Sequence, residues 1–445
     1  MCIALPAATV SAEEALWKVG IAKKVITPKK PLWLAGYSGR DRPAEGKLHD
    51  LWVKMLALED PKGNRGLMVT SDHIGWSKTL YDSICAKLEK QYKLTRSQII
   101  LTASHTHSGP VLRDSLLDYY PLDAERMALI EAYSTELEAK VVSAAGEAFS
   151  KLAPARLFAG AGVTRFAVNR RNNPEPDVPT MLESNARLKG PVDHSVPVLA
   201  VRSPEGKLQA LLFGYACHTT TLSSYVWCGD YGGFAQVALE QSHPEVTALF
   251  WMGCGADINP LPRRSVVLCE RYGRMLAAAV EEVLLEPMKE ISPGLCTTFE
   301  EVSLDFEKTS TREELGKHLK GKSALRRRWA KRMLEKLEKN KGFEKSYPYP
   351  IQAWGLGKDH LWIGLAGEAV VDYALRFKKE FGPNTWVIGF ASDLMAYIPS
   401  RRVWEEGGYE GGALYEYGLP AERWTGDVED RVAGCVHRLV GKVRP

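Results

Sequence analysis

The chain is short of the features that would place it at once. None of its eight cysteines (Cys2, Cys85, Cys217, Cys228, Cys254, Cys269, Cys296 and Cys435) forms a C-x-x-C pair or a zinc-finger spacing. They imply no disulfide framework, because 445 residues can bury a core without one, and small buried hydrophobes is the reading for them. No stretch after the N-terminus reaches the ~18 consecutive apolar residues that a spanning helix needs, so a transmembrane segment is not expected. Charge of one sign is also lacking: 58 basic against 54 acidic residues leave a net +4, and no Arg-rich arm accompanies it. Nucleic acid is therefore not an expected partner. No internal repeat and no low-complexity tract is legible.

What is present reads as a globular α/β chain. The first twelve residues, MCIALPAATVSA, are small and apolar, then turn acidic, and Val10-Ser11-Ala12 resembles a signal-peptidase site without a charged n-region. Residues 1–17 are read as a signal-peptide remnant or tail, with export to the periplasm or exterior as the consequence, and 18–445 as a single domain. Strand-like apolar runs alternate with helical patterns, which predicts a mixed β-sheet with flanking helices. A charged helical insertion is expected at about 305–345. In and just before its basic stretch at 326–341, Leu325, Trp329, Met333 and Leu337 recur every four residues, as on an amphipathic helix. Its basic face reads as solvated, or alternatively as a membrane or anionic-partner surface.

Five apolar runs end in chemically capable residues: Asp72 and His73, His105 and His107, His218, Asp257 and Asn259, and Glu368. Open α/β sheets bind ligands outside the carboxyl ends of their strands, so five such endings point to one site. Residues i and i+2 of an extended chain project to one side, which brings His105 and His107 together if the strand runs on. Two imidazoles and a carboxylate around an open position is a common catalytic zinc set. Spacing alone does not select the set.

The segments VGIAKKVITPKKPLWLAGYSGR, LHDLWVKMLALED, TSDHIG, TASHTHSGP, AVNRR, CGDYGGFA, GCGADINP, AGE and AYIP stand in this order along the chain. In that order and wording the chain resembles the N-terminal catalytic domain of the neutral (non-lysosomal) ceramidase family, over about residues 18 to 440. The resemblance implies a zinc-dependent amide hydrolase of sphingolipid metabolism, with His105, His218, Glu368 and Tyr397 as metal ligands. It makes His107 a neighbour of the metal or a donor to substrate, and matches Arg170 to a family arginine near the substrate and Asp230 to a family aspartate in a glycine-rich turn. Two departures are expected to matter. Asn259 stands where the family carries a serine, so a serine-acyl route is not open, whereas an Asn hydrogen bond to an oxyanion is. The family's additional β-sandwich domain has no counterpart in these 445 residues.

The favoured reading is a zinc-activated water attacking an amide carbonyl. His107 and Asn259 stabilise the oxyanion and Asp257 shuttles protons. Arg170, Asp230 and Tyr409, the last in the glycine-rich GGYEGG segment, are expected to bind a small-molecule, lipid or glycan substrate. One alternative is hydrolysis of a glycosidic or ester bond in a sugar-containing substrate, with Asp230, Asp257 and Glu368 as the carboxylates to test. Another is a non-catalytic binding protein. His49, His73 and Asp72 read equally well as structural or as neighbours of the site. Trp33, Trp52, Trp76, Trp227 and Trp404 fall in or beside the site loops, where core packing and ligand contact both remain open.

Overall fold

The computed structural model describes residues 15–444. Most of the signal-peptide-like segment, residues 1–14, lies outside them. Trp17, placed in the tail by the sequence reading, already opens the first strand. Its ring is buried and its indole N–H donates to the Ile291 carbonyl at 2.9 Å.

The chain runs three times through one succession of elements. The first pass is β1 (Trp17–Val25), β2 (Trp52–Glu59), β3 (Arg65–Ser71), α1 (Lys78–Tyr92), β4 (Ile99–Ala103) and α2 (Ala124–Ser150). The second is β5 (Ala153–Val163), β6 (Ser195–Arg202), β7 (Leu208–Tyr215), α3 (Asp230–Ser242), β8 (Thr247–Met252) and α4 (Val266–Leu285). A short β9 (Lys289–Ile291) pairs with β5. The third is β10 (Leu295–Asp305), the inserted α5 (Arg312–Leu319) and α6 (Ala324–Asn340), β11 (Ser346–Leu356), β12 (His360–Leu365), α7 (Val371–Phe381), β13 (Thr385–Ile388) and α8 (Val428–Val443). In each pass the first three strands are antiparallel neighbours and the fourth lies parallel to the third across a helical crossover. The first two passes share one sheet, ordered β8-β7-β6-β5-β1-β2-β3-β4, and the third forms its own, β10-β11-β12-β13.

Local chemistry explains the pattern. Each second-to-third strand connection is a tight turn where side chains and glycine supply the geometry. Asp60 accepts from the N–H groups of Lys62 and Asn64, Gly206 has φ +90° and Gly357 has φ +60°. Crossover helices begin at side-chain caps where the sequence offers them, as at Ser77, whose hydroxyl accepts from Leu80 N–H. Strands covered on both faces read as continuous apolar runs, and β4 and β12 are buried throughout. Their inner faces meet in one core to which all three passes contribute, among them Met68 and Ile100, Leu212 and Leu249, Trp362 and Trp386. Burying each such side chain contributes roughly 1.5–3 kcal/mol. The outer faces are sealed by the helix pairs α1 and α2, α3 and α4, and α7 and α8.

This is the mixed α/β fold with flanking helices expected from the sequence, with a threefold repeat that the sequence did not disclose. The first-to-second strand connections hide it. They span 26–51, 164–194 and 306–345, with unrelated composition. The 306–345 connection carries α5 and α6, and Trp329 and Met333 of α6 are buried. The basic residues of α6 are not simply solvated: Arg328 donates to the carbonyls of Asp118 and Tyr119, both at 2.7 Å, and Arg332 pairs with the Asp118 carboxylate. No helix among the described residues is long and apolar enough to cross a membrane.

Candidate metal centre

The carboxyl ends of the third and fourth strands of all three passes converge. The last residue of β4 bonds to a residue just beyond β13, Ala103 N–H to the Phe390 carbonyl at 3.3 Å, and Gly389 N–H reaches the Met252 carbonyl at the end of β8 at 3.0 Å. Each pass delivers ligand-type side chains to this point: His105 and His107 from the first, His218 from the second, Glu368 from the third.

The convergence of His105 and His107 does not come from a continuing strand. β4 ends at Ala103, and His105 has φ +58°, a left-handed conformation that few non-glycine residues adopt. The chain turns there, and the two Nε2 atoms end 3.2 Å apart. His105 Nδ1–H donates to the Ile74 carbonyl at 2.6 Å and His218 Nδ1–H to the Gly255 carbonyl at 2.7 Å. A carbonyl only accepts, so both rings are held with the Nε2 lone pair facing the centre. The Glu368 carboxylate stands 3.2 Å from His218 Nε2 and 3.6 Å from His105 Nε2. One ligand nitrogen from each of His105, His107 and His218 lies within 4.8 Å of the others.

Protonation states suit a cation. Burial holds His105 down at about 4 and His107 well below the usual range, with mutual repulsion adding to it. Burial also lowers His218, with the Arg170 charge reinforcing it. Burial alone would raise Glu368; attraction to His105 and His218 in their protonated forms, and a hydrogen bond from Tyr417, lower it. Neutral imidazoles beside an ionised carboxylate are the forms that bind zinc. The donor set, with two tautomers fixed from behind, therefore fits the metal.

The other predicted residues divide into two groups. Tyr397 lies across a two-residue parallel bridge from Glu368, and its hydroxyl accepts from Arg170 Nη2 at 3.2 Å. Arg170 also donates to Asn259 Oδ1 at 3.3 Å and to Glu410 at 2.7 Å. Tyr409, 44% exposed, packs its ring 5.0 Å from that of Tyr397 at the rim. Asp257 and Asp230 do not face the cluster. Asp257 accepts from Val371 N–H at the start of α7 and from Asn169, and burial pushes its carboxyl up to about 6. Asp230 accepts from the N–H groups of Thr221, Leu222 and Tyr231. The roles expected of them, proton shuttle and substrate contact, give way in this geometry to holding the segments that carry Asn259 and His218. Both are wholly buried, with their oxygens committed to those donors.

Asp72 accepts from Trp52 N–H at 3.0 Å and orients no imidazole. His73 accepts from Gly75 N–H at 3.1 Å. His49 stands 3.3 Å from Cys228 Sγ, behind the His105–Ser108 segment, whose Thr106 hydroxyl donates to the Cys228 carbonyl at 2.6 Å. Trp33, Trp76 and Trp227 are buried in the core of the first pass.

Three groups escaped sequence reasoning. Tyr417 donates its hydroxyl to Glu368. Tyr37 lays its ring 4.7 Å from that of His107. Arg40 donates to the His107 carbonyl at 2.8 Å. Tyr37 and Arg40 were in view within LAGYSGR, where nothing local marks a contact with His107; Tyr417 carries no local signal at all.

The fold and this cluster define an α/β protein with a buried His–His–Glu centre at its strand ends. The chain belongs to the neutral/alkaline non-lysosomal ceramidase family, whose N-terminal family model matches residues 17–264. The neutral ceramidase of Pseudomonas aeruginosa is 22% identical over 232 residues, 50% of this chain and 33% of that protein. The neutral ceramidase of Drosophila pseudoobscura pseudoobscura is 23% identical over 241 residues, 52% of this chain and 33% of that protein. The matched region thus spans about a third of these relatives. The crystal structure of the Pseudomonas aeruginosa enzyme superposes with a TM-score of 0.73 at 19% identity, over 97% of this chain and 74% of that one. A ceramidase solved in complex with C2 gives 0.69 at 17% identity, over 96% and 76%. These two likenesses support the fold.

Proposed function

We propose that the protein is a zinc-dependent hydrolase of an amide bond in an acyl-bearing substrate. The observation that carries this reading is the meeting of the His105, His107 and His218 Nε2 atoms with Glu368, with two of the three imidazoles pinned from behind. His105, His218, Glu368 and Tyr397 would hold the ion. Bound there, zinc supplies the Lewis acidity that polarises a carbonyl and activates a water.

The chain's own groups divide the remaining work. His107 is the imidazole at the open edge. Its Nδ1 has no hydrogen-bond partner, so, unlike His105 and His218, its tautomer is not fixed from behind and either ring nitrogen can carry the N–H. Arg170 has only donors, so it turns the Asn259 amide with Oδ1 towards itself and leaves the Asn259 N–H groups to meet an oxyanion. Tyr409 and Arg170 line the approach. A cavity of about 700 Å³ lies elsewhere on the molecule, near Asp60. A cavity of about 460 Å³ on the far side of Tyr417 mixes apolar Leu116, Leu394 and Met395 with the charged Asp118, Arg332 and Glu416.

Glycoside cleavage would need two carboxylates flanking an open pocket. Asp230 and Asp257 are each enclosed by hydrogen-bond donors, so the amide reading stands ahead of it. The test is hydrolysis of a panel of N-acyl amides by wild type and Asn259→Ala. The expected result is turnover by wild type and a kcat about 10²- to 10³-fold lower in the variant, with zinc retained. Absence of turnover of any amide by the zinc-loaded protein would overturn the reading.

A further inference from the structure

The only one of the three histidines that reaches solvent is His107, so the cluster opens on its side. The Tyr37 ring covers that edge, and two guanidinium groups stand over it, Arg40 at 5.3 Å and Arg264 at 5.2 Å from the ring centroid. Their charges are poorly matched. Arg40 is 5% exposed, donates to the carbonyls of His107 and Ser224, leaves its Nε without an acceptor, and meets no carboxylate among the described residues. Arg263 takes the Glu175 carboxylate through Nε at 2.8 Å and again through Nη2. Arg264 is left 3.9 Å from that same carboxylate, and its Nη1 donates to the Tyr37 hydroxyl at 2.9 Å. Arg263 and Arg264 therefore share one carboxylate, and Arg40 meets none among the described residues. On the neighbouring wall Arg170 and Arg171 are balanced by Glu406 and Glu410. A buried cation without a counter-ion is costly to fold, and a half-exposed one beside it at a catalytic mouth is a ready anion partner.

We propose that the Tyr37–Arg264 edge is an anion subsite for a carboxylate that the substrate carries next to its scissile amide, which makes N-acyl amino acids the substrate class. This rests on the amide-hydrolase reading above. The acyl carbon becomes a carboxylate at the cluster itself, so a second anion site serves a second carboxylate. In the reaction the amide C–N bond breaks and the water oxygen bonds to the acyl carbon. The water's protons pass to the leaving nitrogen and to solvent, giving a carboxylate and a free amino acid.

The experiment uses the full, zinc-loaded chain and two probes that differ only at that position, N-octanoylglycine and N-octanoylethanolamine. Binding is measured by calorimetry and cleavage by product release, for wild type and Arg264→Gln. The expected result is about tenfold or tighter binding of the glycine probe by wild type, with the ratio collapsing towards one in the variant while its affinity for the neutral probe shows that the site is intact. Equal affinities in wild type, or an undiminished ratio in Arg264→Gln, would overturn the subsite. Preferential binding without cleavage of either probe would support the subsite and overturn the hydrolase reading. Cleavage of both probes with equal affinities would do the reverse.

Discussion

The Nε2 atoms of His105 and His107 stand 3.2 Å apart because His105 takes a left-handed conformation just beyond the end of its strand. With both rings neutral, two nitrogens at that distance either share a proton or share a cation. Pinning of the His105 Nδ1–H on the Ile74 carbonyl leaves the Nε2 of that ring as an acceptor or ligand only. This relationship sets the character of the site.

Gly36 backs the His107 ring. Its φ is +97°, and a Cβ there would lie 2.3 Å from His107 Nδ1. Gly36→Ala must therefore displace His107, at a cost of roughly 1–3 kcal/mol in stability. The expected outcome is a kcat at least about tenfold lower with zinc still bound through His105, His218 and Glu368. Kinetics and metal content on the same preparation check it; an unimpaired variant would show that the position of His107 is immaterial.

Tyr417 tests the far side of the carboxylate. Its hydroxyl donates to Glu368 Oε1, leaving Oε2 towards the histidines. Tyr417→Phe keeps the ring and removes the donor. Loss of such an outer partner is expected to weaken zinc binding by about 10- to 100-fold. Competition with a chelator of known affinity reads the change, and an unaltered affinity would mean the hydrogen bond does not tune the ligand.

Asp393 predicts the pH dependence of stability. It is buried, receives the Tyr347 hydroxyl on one oxygen, and has no partner on the other. Burial pushes its carboxyl up to about 7. A folded-state value above the unfolded one means the native protein binds the proton more tightly. The associated stability is present below about pH 4 and is lost as pH rises through about 7, amounting to roughly 4 kcal/mol at most. Between pH 5.5 and 8 the Tm of the wild type should fall further than that of Asp393→Asn, which has no charge to bury. Equal falls in thermal unfolding would contradict the assignment.

Much of this was legible beforehand, for physical reasons that differ by residue. Buried strands advertise themselves as apolar runs, and a polar ending such as His218 after LLFGYAC is visible because nothing else in the run is polar. Convergence of His105 and His107 was anticipated from alternation along a strand, yet the strand stops at Ala103 and a left-handed turn does the work instead. Asp257 and Asp230 look catalytic in a linear reading, because a carboxylate's hydrogen-bond partners, here Val371, Asn169 and the N–H groups of Thr221 and Leu222, come from distant or unmarked positions. Tyr417 lies 49 residues from Glu368 along the chain, and no spacing rule connects them. The threefold succession escaped notice because packing requires only apolar faces at matching positions. The connecting loops, which hold most of the distinctive residues, are free to diverge.

The most direct test of the account is zinc content by elemental analysis on wild type and His218→Ala, with folding of both verified by circular dichroism. The account predicts about one zinc per chain in the wild type and its loss from the folded variant. A folded wild type that takes up no zinc when supplied with it, or a His218→Ala protein that retains a full equivalent, would contradict the central claim.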